Sequence, residues 1–445
     1  SGETGAVLEF GNMDFQIDCT TGGGDVDIKL IGDCEFDAVT VSSGDTLDLN
    51  GQRAEFSGTL NIDGTLDADG LIVSSGSIDE DGGFSNADSC DMILTGATTH
   101  DLRGATHRNI LINTSGTASV NAAKDLGTTP LKIGAGTFDA GENITCGNLT
   151  VATGATYTAN DDTLTVAGDF TTSGGLLGAS CLSLTSSNTE YAEVADHADL
   201  DFVSSRNAIT LECWFKTSTN NEHQYLFDRR NGQDVFYLII ENGTDTVQGR
   251  PQSSAGFDDS KWHHAALVYD GDYSGSTTTA AHKLYIDGKL EAQELGSSGT
   301  IYTGTIPLKF GARYTNEYYL NGEMDEIRMF AAAKTAAQIR ADMFKAEGTN
   351  LTHYNSLADA STDGLIGRWS CNEGTGHDLV STGNTDVNAV IKDYNSGSPA
   401  DYNDAWAGAG GFDKGTSTLV MSTDGGVINL YGNTTDMYNL TINGN

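Results

Sequence analysis

One pattern occurs twice, from Phe84 to Ile112 and again from Phe412 to Ile442, on either side of a differently built middle segment. Both copies run from a Phe through an apolar strand, Met92-Ile93-Leu94 or Leu419-Val420-Met421, and then through a Leu-x-Gly (Leu102, Gly104 and Leu430, Gly432). Both end on Asn-apolar-x-Ile. Overlaid, the copies differ by a gap of about two residues, the size of a loop adjustment between stacked strands. A scaffold that stops near residue 175 and resumes near 410 makes the middle an inserted module.

Between residues 36 and 175 the chain cycles through short units: Val39-Thr-Val41, Asp45-Thr-Leu47-Asp-Leu49, Gly58-Thr-Leu60-Asn-Ile62 and Gly64-Thr-Leu66-Asp-Ala68 are examples. Each alternates with period two and closes on Gly, Asp or Asn. Strands this short cannot bury a face alone and must stack on their neighbours. A β-solenoid-like stack and an array of β-sandwiches both satisfy that requirement; the solenoid is preferred because the units recur without long connections. With 55 Gly, 4 Pro and only 23 Lys plus Arg in 445 residues, the composition favours an all-β chain of short strands and tight turns. The regular Val, Ile and Leu alternation argues against disorder.

A formal charge of −39 removes nucleic acid as a partner, because nothing basic is available to neutralise phosphates. Anionic membrane surfaces are disfavoured for the same reason. No run approaches the ~18 apolar residues of a membrane span, so no membrane insertion is expected. The seven cysteines have no CxxC or CxxH spacing and their number is odd, so they are expected to pack as small hydrophobes, with a Cys19–Cys34 bridge as the alternative for that pair. The chain opens at Ser1 without a signal-peptide pattern, so it is expected to be processed, trimmed or never exported.

From about residue 181 the strands lengthen and aromatics appear. In Ile209-Thr-Leu-Glu-Cys-Trp-Phe-Lys216, Ile209, Leu211, Cys213 and Phe215 face one way and Thr210, Glu212, Trp214 and Lys216 the other. Trp262–Tyr269, His282–Ile286 and Glu323–Phe330 follow, with Asp287-Gly288 as a tight hairpin turn. This predicts a two-sheet sandwich with its own core. The expected divisions are 1–177 repeat scaffold, 178–345 sandwich, 346–409 an associated segment, and 410–445 scaffold resumed.

Several motifs occur in a telling order: Tyr191-x-Glu-Val, Ile209-Thr-Leu-Glu-Cys-Trp-Phe, Lys261-Trp-His-His-x-Ala-Leu-Val-Tyr-Asp-Gly271, His282-Lys-Leu-Tyr-Ile-Asp-Gly288, and Leu320-Asn-Gly-Glu-Met-Asp-Glu-Ile-Arg-Met-Phe330. With the short helix at Thr335-Ala-Ala-Gln-Ile-Arg340, this series resembles the laminin G-like family of concanavalin A-type jelly rolls. One departure is Gly364-Leu-Ile-Gly-Arg-Trp-Ser-Cys-Asn-Glu-Gly-Thr-Gly376, which is similar to the family's opening strand yet follows its closing helix. It reads as a permuted first strand or a fragment of a second copy. The stretch from Gly147 to Gly175 resembles repeats of bacterial and phage surface proteins.

The resemblance implies chemistry. Jelly rolls bind ligands through aromatic side chains on a sheet face or loop rim, which makes Trp214, Tyr237, Tyr285, Arg313, Tyr314, Tyr318 and Tyr319 candidates; Trp214 is expected as a half-exposed platform. Calcium is the credible ion, since hard oxygen ligands suit it. The family places a carboxylate at Asp325, and the acidic loop with Asp196, Asp199 and Asp201 could add others. Glycosidases on this fold carry Glu-x-Asp-x-x-Glu; here Glu323 and Asp325 match, but position 328 is Arg, so no catalytic residue is expected. His263 and His264 are adjacent on a strand and point to opposite faces, so they cannot chelate one ion together. The resulting expectation is a non-enzymatic virion surface protein, a phage fibre, spike or head decoration, that carries a lectin-like module for glycan or host-surface attachment. Its other expected partners are virion or surface subunits and copies of itself, a trimer among the options. A secreted or wall-anchored bacterial adhesin and a polysaccharide-degrading enzyme are the alternatives.

Overall fold

The computed structural model describes residues 8–9, 15–17, 27–102, 106–172, 174–200, 208–219, 223–229, 237–241, 247–248, 252–253, 256–270, 281–295, 305–349, 351, 364–382, 385–393, 405–407, 411–413, 418–422, 428–429 and 439–442. The chain forms two compact units, Ser1–Leu176 with Gly408–Asn445, and Leu177–Ala407.

The first unit is a β-solenoid of about seven turns. Its strands pair in parallel with strands one turn away. One ladder runs through Cys34–Phe36, Arg53–Phe56, Leu71–Ser74, Asp91–Leu94, Asn109–Val120 and Leu131–Asp139. A second joins Val39–Val41, Leu60–Ile62 and Ile78–Glu80, and a third Thr46–Asp48, Thr65–Asp67 and Gly83–Ser85. Because the register holds, like positions stack: Val39 on Leu60 and Leu60 on Ile78, Leu47 on Leu66 and Leu66 on Phe84. In Val39–Val41, Thr46–Asp48 and Leu60–Ile62 the inward residues are buried and the outward ones half-exposed, as period-two alternation requires, whereas Leu71–Ser74 and Asp91–Leu94 are buried throughout. Phe36 and Phe56 stack within this core, ring centroids 5.4 Å apart. The turns pack so closely that a Cβ on Gly76 would lie 1.8 Å from the Gly58 carbonyl oxygen. Glycine is required there by contact with the neighbouring turn.

The ladders continue across the insertion. Thr163–Val166 pairs with Thr418–Met421, which pairs in turn with Asn439–Ile442. Thr156–Thr158 pairs with Gly411–Asp413, and Phe170–Thr171 with Ile428–Asn429. Each copy of the repeated pattern is thus one turn, from Asp91–Leu94 to its neighbour Asn109–Val120 and from Thr418–Met421 to Asn439–Ile442. Gly104, Leu430 and Gly432 lie outside the described residues. Cys34, Cys90, Cys146, Cys181, Cys213 and Cys371 are buried thiols, and Cys34 packs as a small hydrophobe; Cys19 lies outside the described residues.

The second unit is an antiparallel two-sheet sandwich. One sheet has the order Leu182–Leu184, Gly322–Phe330, Ala208–Thr217, His263–Asp270, Ala281–Ile286, Lys289–Leu295, with Leu365–Trp369 also on Gly322–Phe330. The other has the order Val247–Gln248, Tyr237–Ile240, Gln224–Asp228, Leu308–Phe310, Glu190–Val194, Ala389–Asp393, Asp378–Leu379. Between them lies a core that includes Leu211, Phe215, Leu226, Phe310, Ile327 and Trp369. The stretch 364–393 therefore supplies strands to both sheets, and Leu365–Trp369 is a strand of this sandwich that arrives late in the chain. A fragment of a second copy is not what it forms.

The outward face of the first sheet is not solvent-exposed. Thr210, Glu212 and Trp214 are fully buried beneath residues 331–345, which include the helix Ala336–Asp342 with its Thr335–Gln338 capping box. Charges are buried there in pairs. Glu212 accepts from Lys334 Nζ at 2.9 Å and Arg328 Nη1 at 3.1 Å. Glu326 accepts from Arg328 Nε at 3.2 Å and Arg368 Nε at 2.8 Å. Burial pushes the Glu212 carboxyl up, but Lys334 and Arg328 more than offset it, and its pKa ends below the ordinary value. A β-bulge makes this geometry: Trp214 pairs with Asp325 and Glu212 with Arg328, and Glu326 sits in the left-handed region at φ 49°.

Candidate ligand-binding face

The outward face of the second sheet is built differently. On Glu190–Val194, Ala192 and Val194 enter the core, which turns Tyr191 and Glu193 outward. The same alternation turns out Tyr225 on Gln224–Asp228, Lys309 between Leu308 and Phe310, Tyr237 beside Leu238, and Lys392 beside Ile391. Over this face folds the loop between Phe310 and Asn321. Leu320 N donates to Gly311 O and Tyr225 N to Tyr318 O, at 2.8 and 3.2 Å, which closes the loop and ties it to the sheet.

The tyrosines meet. Tyr225 lies 6.2 Å from Tyr237 and 6.3 Å from Tyr318 between ring centroids, and His223 contacts Tyr318 edge-on at 5.5 Å. Arg313 lies over Tyr314 at 5.5 Å and Tyr318 at 5.6 Å, and is paired with Glu317 at 3.1 Å. Tyr191 packs on Tyr319 and beneath Lys309 Nζ at 4.7 Å. Lys309 also pairs with Glu193 at 3.6 Å, and Glu193 accepts from Lys392. Burial draws the Lys309 pKa down against the pull of Glu193. Tyr318 is 41% exposed and holds a left-handed backbone at φ 56°, where a bulky residue costs about 1–3 kcal/mol.

Among the expected residues, the fold brings together Tyr237, Arg313, Tyr314 and Tyr318, with Tyr319 packed behind them. Tyr191, Glu193, Tyr225, Lys309 and Lys392 join them unforeseen, although strand alternation places each on this face. Trp214 is a correction: it is buried on the other sheet, its Nε1 donates to Met343 O at 2.7 Å, and its ring packs on Phe344 and His264. Tyr285 is likewise buried, in a cluster with Ala266, Val268 and Ile339 of the covering helix. Both stand on a face with polar neighbours, but the helix covers that face.

Among the described residues, the expected carboxylates Asp325, Asp196 and Asp199 do not form one cluster. Asp325 is fully buried and its Oδ2 accepts from Leu177 N at 2.9 Å, which makes it a structural acceptor. Asp196 pairs with Arg229 at 3.4 Å. Asp199 has ligand-capable atoms within 4.8 Å of those of His197 and Asp386, and Asp201 lies outside the described residues. Two carboxylates and an imidazole are a poor match for calcium, which takes 6–8 oxygen ligands. On the solenoid, Asp48, Asp67 and Asp69, and Asp79, Asp81 and Asp101, also come within 4.8 Å. His263 and His264 do point opposite ways: His263 is held by Asp287 at 2.8 Å and Asp259 at 3.1 Å, and His264 lies against Trp214.

The sequence from 186 to 340 matches the Concanavalin A-like lectin/glucanases superfamily in its laminin G form. No curated protein matches the chain. Among solved structures, a candidate carbohydrate binding protein from Bacteroides ovatus is similar at 16% identity and a TM-score of 0.36, over 48% of this chain and 60% of that one. The CBM40 of a Ruminococcus gnavus IT-sialidase is similar at 15% identity and a TM-score of 0.26, over 36% and 96%. Domains LG4-5 of the mouse laminin alpha1 chain are similar at 13% identity and a TM-score of 0.25, over 38% and 46%. The chain thus spans about 60% of the length of the Bacteroides ovatus protein. Residues 186–340 form a concanavalin A-like domain of the laminin G type.

Proposed function

We propose that this protein binds glycans non-enzymatically at the tyrosine face of the second sheet, as the attachment module of a virion surface protein. The observation that carries the reading is Tyr318, held exposed in a strained backbone among Tyr225, Tyr237 and Arg313. Aromatic faces take up the apolar side of a sugar ring, while Lys392 and Arg313 offer charge-assisted hydrogen bonds to its hydroxyls. Lys309 is buried and holds Glu193, Tyr314 O and Asn316 in place beneath them. The absence of catalysis is favoured by the acids themselves. Asp325 is occupied by a backbone N–H, Glu323 lies 3.8 Å from Lys216, and Arg328 stands where a third acid belongs. The solenoid supports the virion reading, as a repetitive scaffold suited to a fibre or spike, and a homo-oligomer, such as a trimer, is part of that proposal. Among the described residues no helix is long and apolar enough to cross a membrane. Calcium remains part of the proposal through Asp199 with Asp386, which would need further oxygen ligands from water or the glycan to complete its shell.

A glycan array probed with the intact chain, with and without chelator, tests the binding. Tyr318→Ala is expected to weaken the best glycan about tenfold, the worth of one stacked ring. Unchanged affinity would remove the tyrosine face from the reading. Turnover of a bound polysaccharide would replace it with an enzyme. Recovery of the chain from bacterial cell walls, with none in purified particles, would replace the virion with an adhesin.

A further inference from the structure

A polar cleft of about 290 Å3 lies at the margin of the first sheet, where Leu182–Leu184 and the end of Ala208–Thr217 flank the start of Gly322–Phe330. Its walls include Ser183, Thr185, Lys216, Ser218, Asn321 and Glu323. Just below the ~300–1,000 Å3 of small-molecule pockets, it has room for a ring-sized unit.

The walls are fixed by residues behind them. Gln224 Oε1 accepts from Asn321 N at 2.8 Å and from Thr217 Oγ1 at 3.3 Å, and Asn321 Nδ2 donates to Thr219 Oγ1 at 2.9 Å. Two tight backbone features converge here. Ser260, on the rim, sits in the left-handed region at φ 66°, and a Cβ on Gly322 would lie 2.2 Å from the Lys216 carbonyl oxygen. Such features concentrate at binding sites.

Charge selects the ligand. Lys216 Nζ and Glu323 Oε2 are 3.8 Å apart, an ion pair but beyond hydrogen-bonding distance. A hydroxyl between them can donate to the carboxylate and accept from the ammonium at once. The two charges cancel, so the cleft has no excess of either sign to reward an anionic or cationic guest. Burial raises the Glu323 pKa against the pull of Lys216, as in a cleft partly withdrawn from water.

We propose that this cleft is a second binding site, which takes one neutral polyhydroxylated ring such as a hexose through Glu323, Lys216 and the serine hydroxyls. The inference stands on the cleft's own chemistry and is independent of the tyrosine face. It is tested by saturation-transfer NMR on the intact chain with glucose, galactose, mannose and N-acetylneuraminic acid as probes. At least one neutral hexose is expected to bind and the acidic sugar to bind no better. Glu323→Gln should weaken the hexose by about tenfold or more, the usual loss for a charged hydrogen-bonding partner. Ser218→Trp, at an exposed position on the mouth, should block it, and Tyr318→Ala should leave it unchanged. If Glu323→Gln fails to fold, Ser218→Trp decides alone. With the tyrosine face silenced by Tyr318→Ala, two results overturn the proposal: no hexose binding, or hexose binding that survives the added Ser218→Trp.

Discussion

In the solenoid, the residues stacked inside successive turns are Leu47, Leu66 and Phe84, or Val39, Leu60 and Ile78, and the covering of one turn is the next turn. In the sandwich, the strand Ala208–Thr217 is buried on both faces. It turns Ile209, Leu211, Cys213 and Phe215 into an apolar core and Thr210, Glu212 and Trp214 into a second interior beneath a helix. The first arrangement rests mainly on shape and repetition, with a few buried charges such as Asp91, paired with Arg108, and Lys124, paired with Asp101. The second takes charges out of water, which costs several kcal/mol per ion unless each is paired, and Glu212, Arg328, Lys334, Glu326 and Arg368 are paired. Burial by repetition therefore tolerates change one turn at a time, whereas burial by ion pairing commits several distant positions together.

The largest effect should come from breaking that commitment. Glu212→Gln leaves Lys334 and Arg328 without their shared carboxylate and should cost the sandwich about 3–5 kcal/mol in denaturant unfolding. A loss under about 1 kcal/mol would mean the pairs contribute no cohesion there. In the solenoid, Leu66→Ala should cost about 3–4 kcal/mol. That loss should appear in hydrogen exchange as weakened protection of the neighbouring turns, with the sandwich amides unaffected.

Alkaline pH should separate the two units with a smaller effect. Burial lowers the His263 pKa, but Asp287 and Asp259 outweigh it and hold it at about 9. Its stabilisation is complete below the ordinary 6.5 and lost as pH rises through 9. Burial lowers Lys132 in the solenoid to about 8, with Asp91 as the opposing pull. A lysine lowered from 10.5 has the opposite sign, so its share of solenoid stability grows as pH rises from 8 towards 10.5. From pH 7 to 10 His263 should cost the sandwich, and Lys132 should return to the solenoid, about 2 kcal/mol each. Each is read as the difference that His263→Gln or Lys132→Met makes to its unit's melting transition. The difference is needed because the buried thiols Cys90, Cys146, Cys213 and Cys371, held above their ordinary pKa by burial, weaken both units over the same range.

Legibility in the sequence divides along the same line. Period two in Gly58-Thr-Leu60-Asn-Ile62 and its successors carries the solenoid because repetition itself is the structural instruction. The alternation of Ile209–Phe215 against Thr210–Lys216 likewise identifies a two-faced strand. It does not reveal what covers the second face, and Trp214 was for that reason expected as a platform when Met343 and Phe344 cover it. Tyr237, Arg313, Tyr314 and Tyr318 were recognisable as aromatic and cationic residues near loop and strand ends. The left-handed turn at Tyr318, and the convergence of Tyr191, Tyr225 and Lys392 from strands distant in sequence, depend on sheet order that no local pattern encodes. Asp325, expected as a calcium ligand, is buried beside the bulge at Glu326 and accepts from the Leu177 amide 148 positions away, a partner that no local pattern encodes.

The module closes on itself where it begins and ends. Ser183 N donates to Ala405 O at 2.7 Å, Ala407 N donates to Cys181 O at 3.2 Å, and Leu182 bridges Trp406. A cassette whose two ends are already fastened together can be excised, duplicated or exchanged by recombination at that seam. The pairing of Thr163–Val166 with Thr418–Met421 would be left intact. Natural variants and engineered chimaeras could thus exchange this one segment while inheriting the solenoid unchanged.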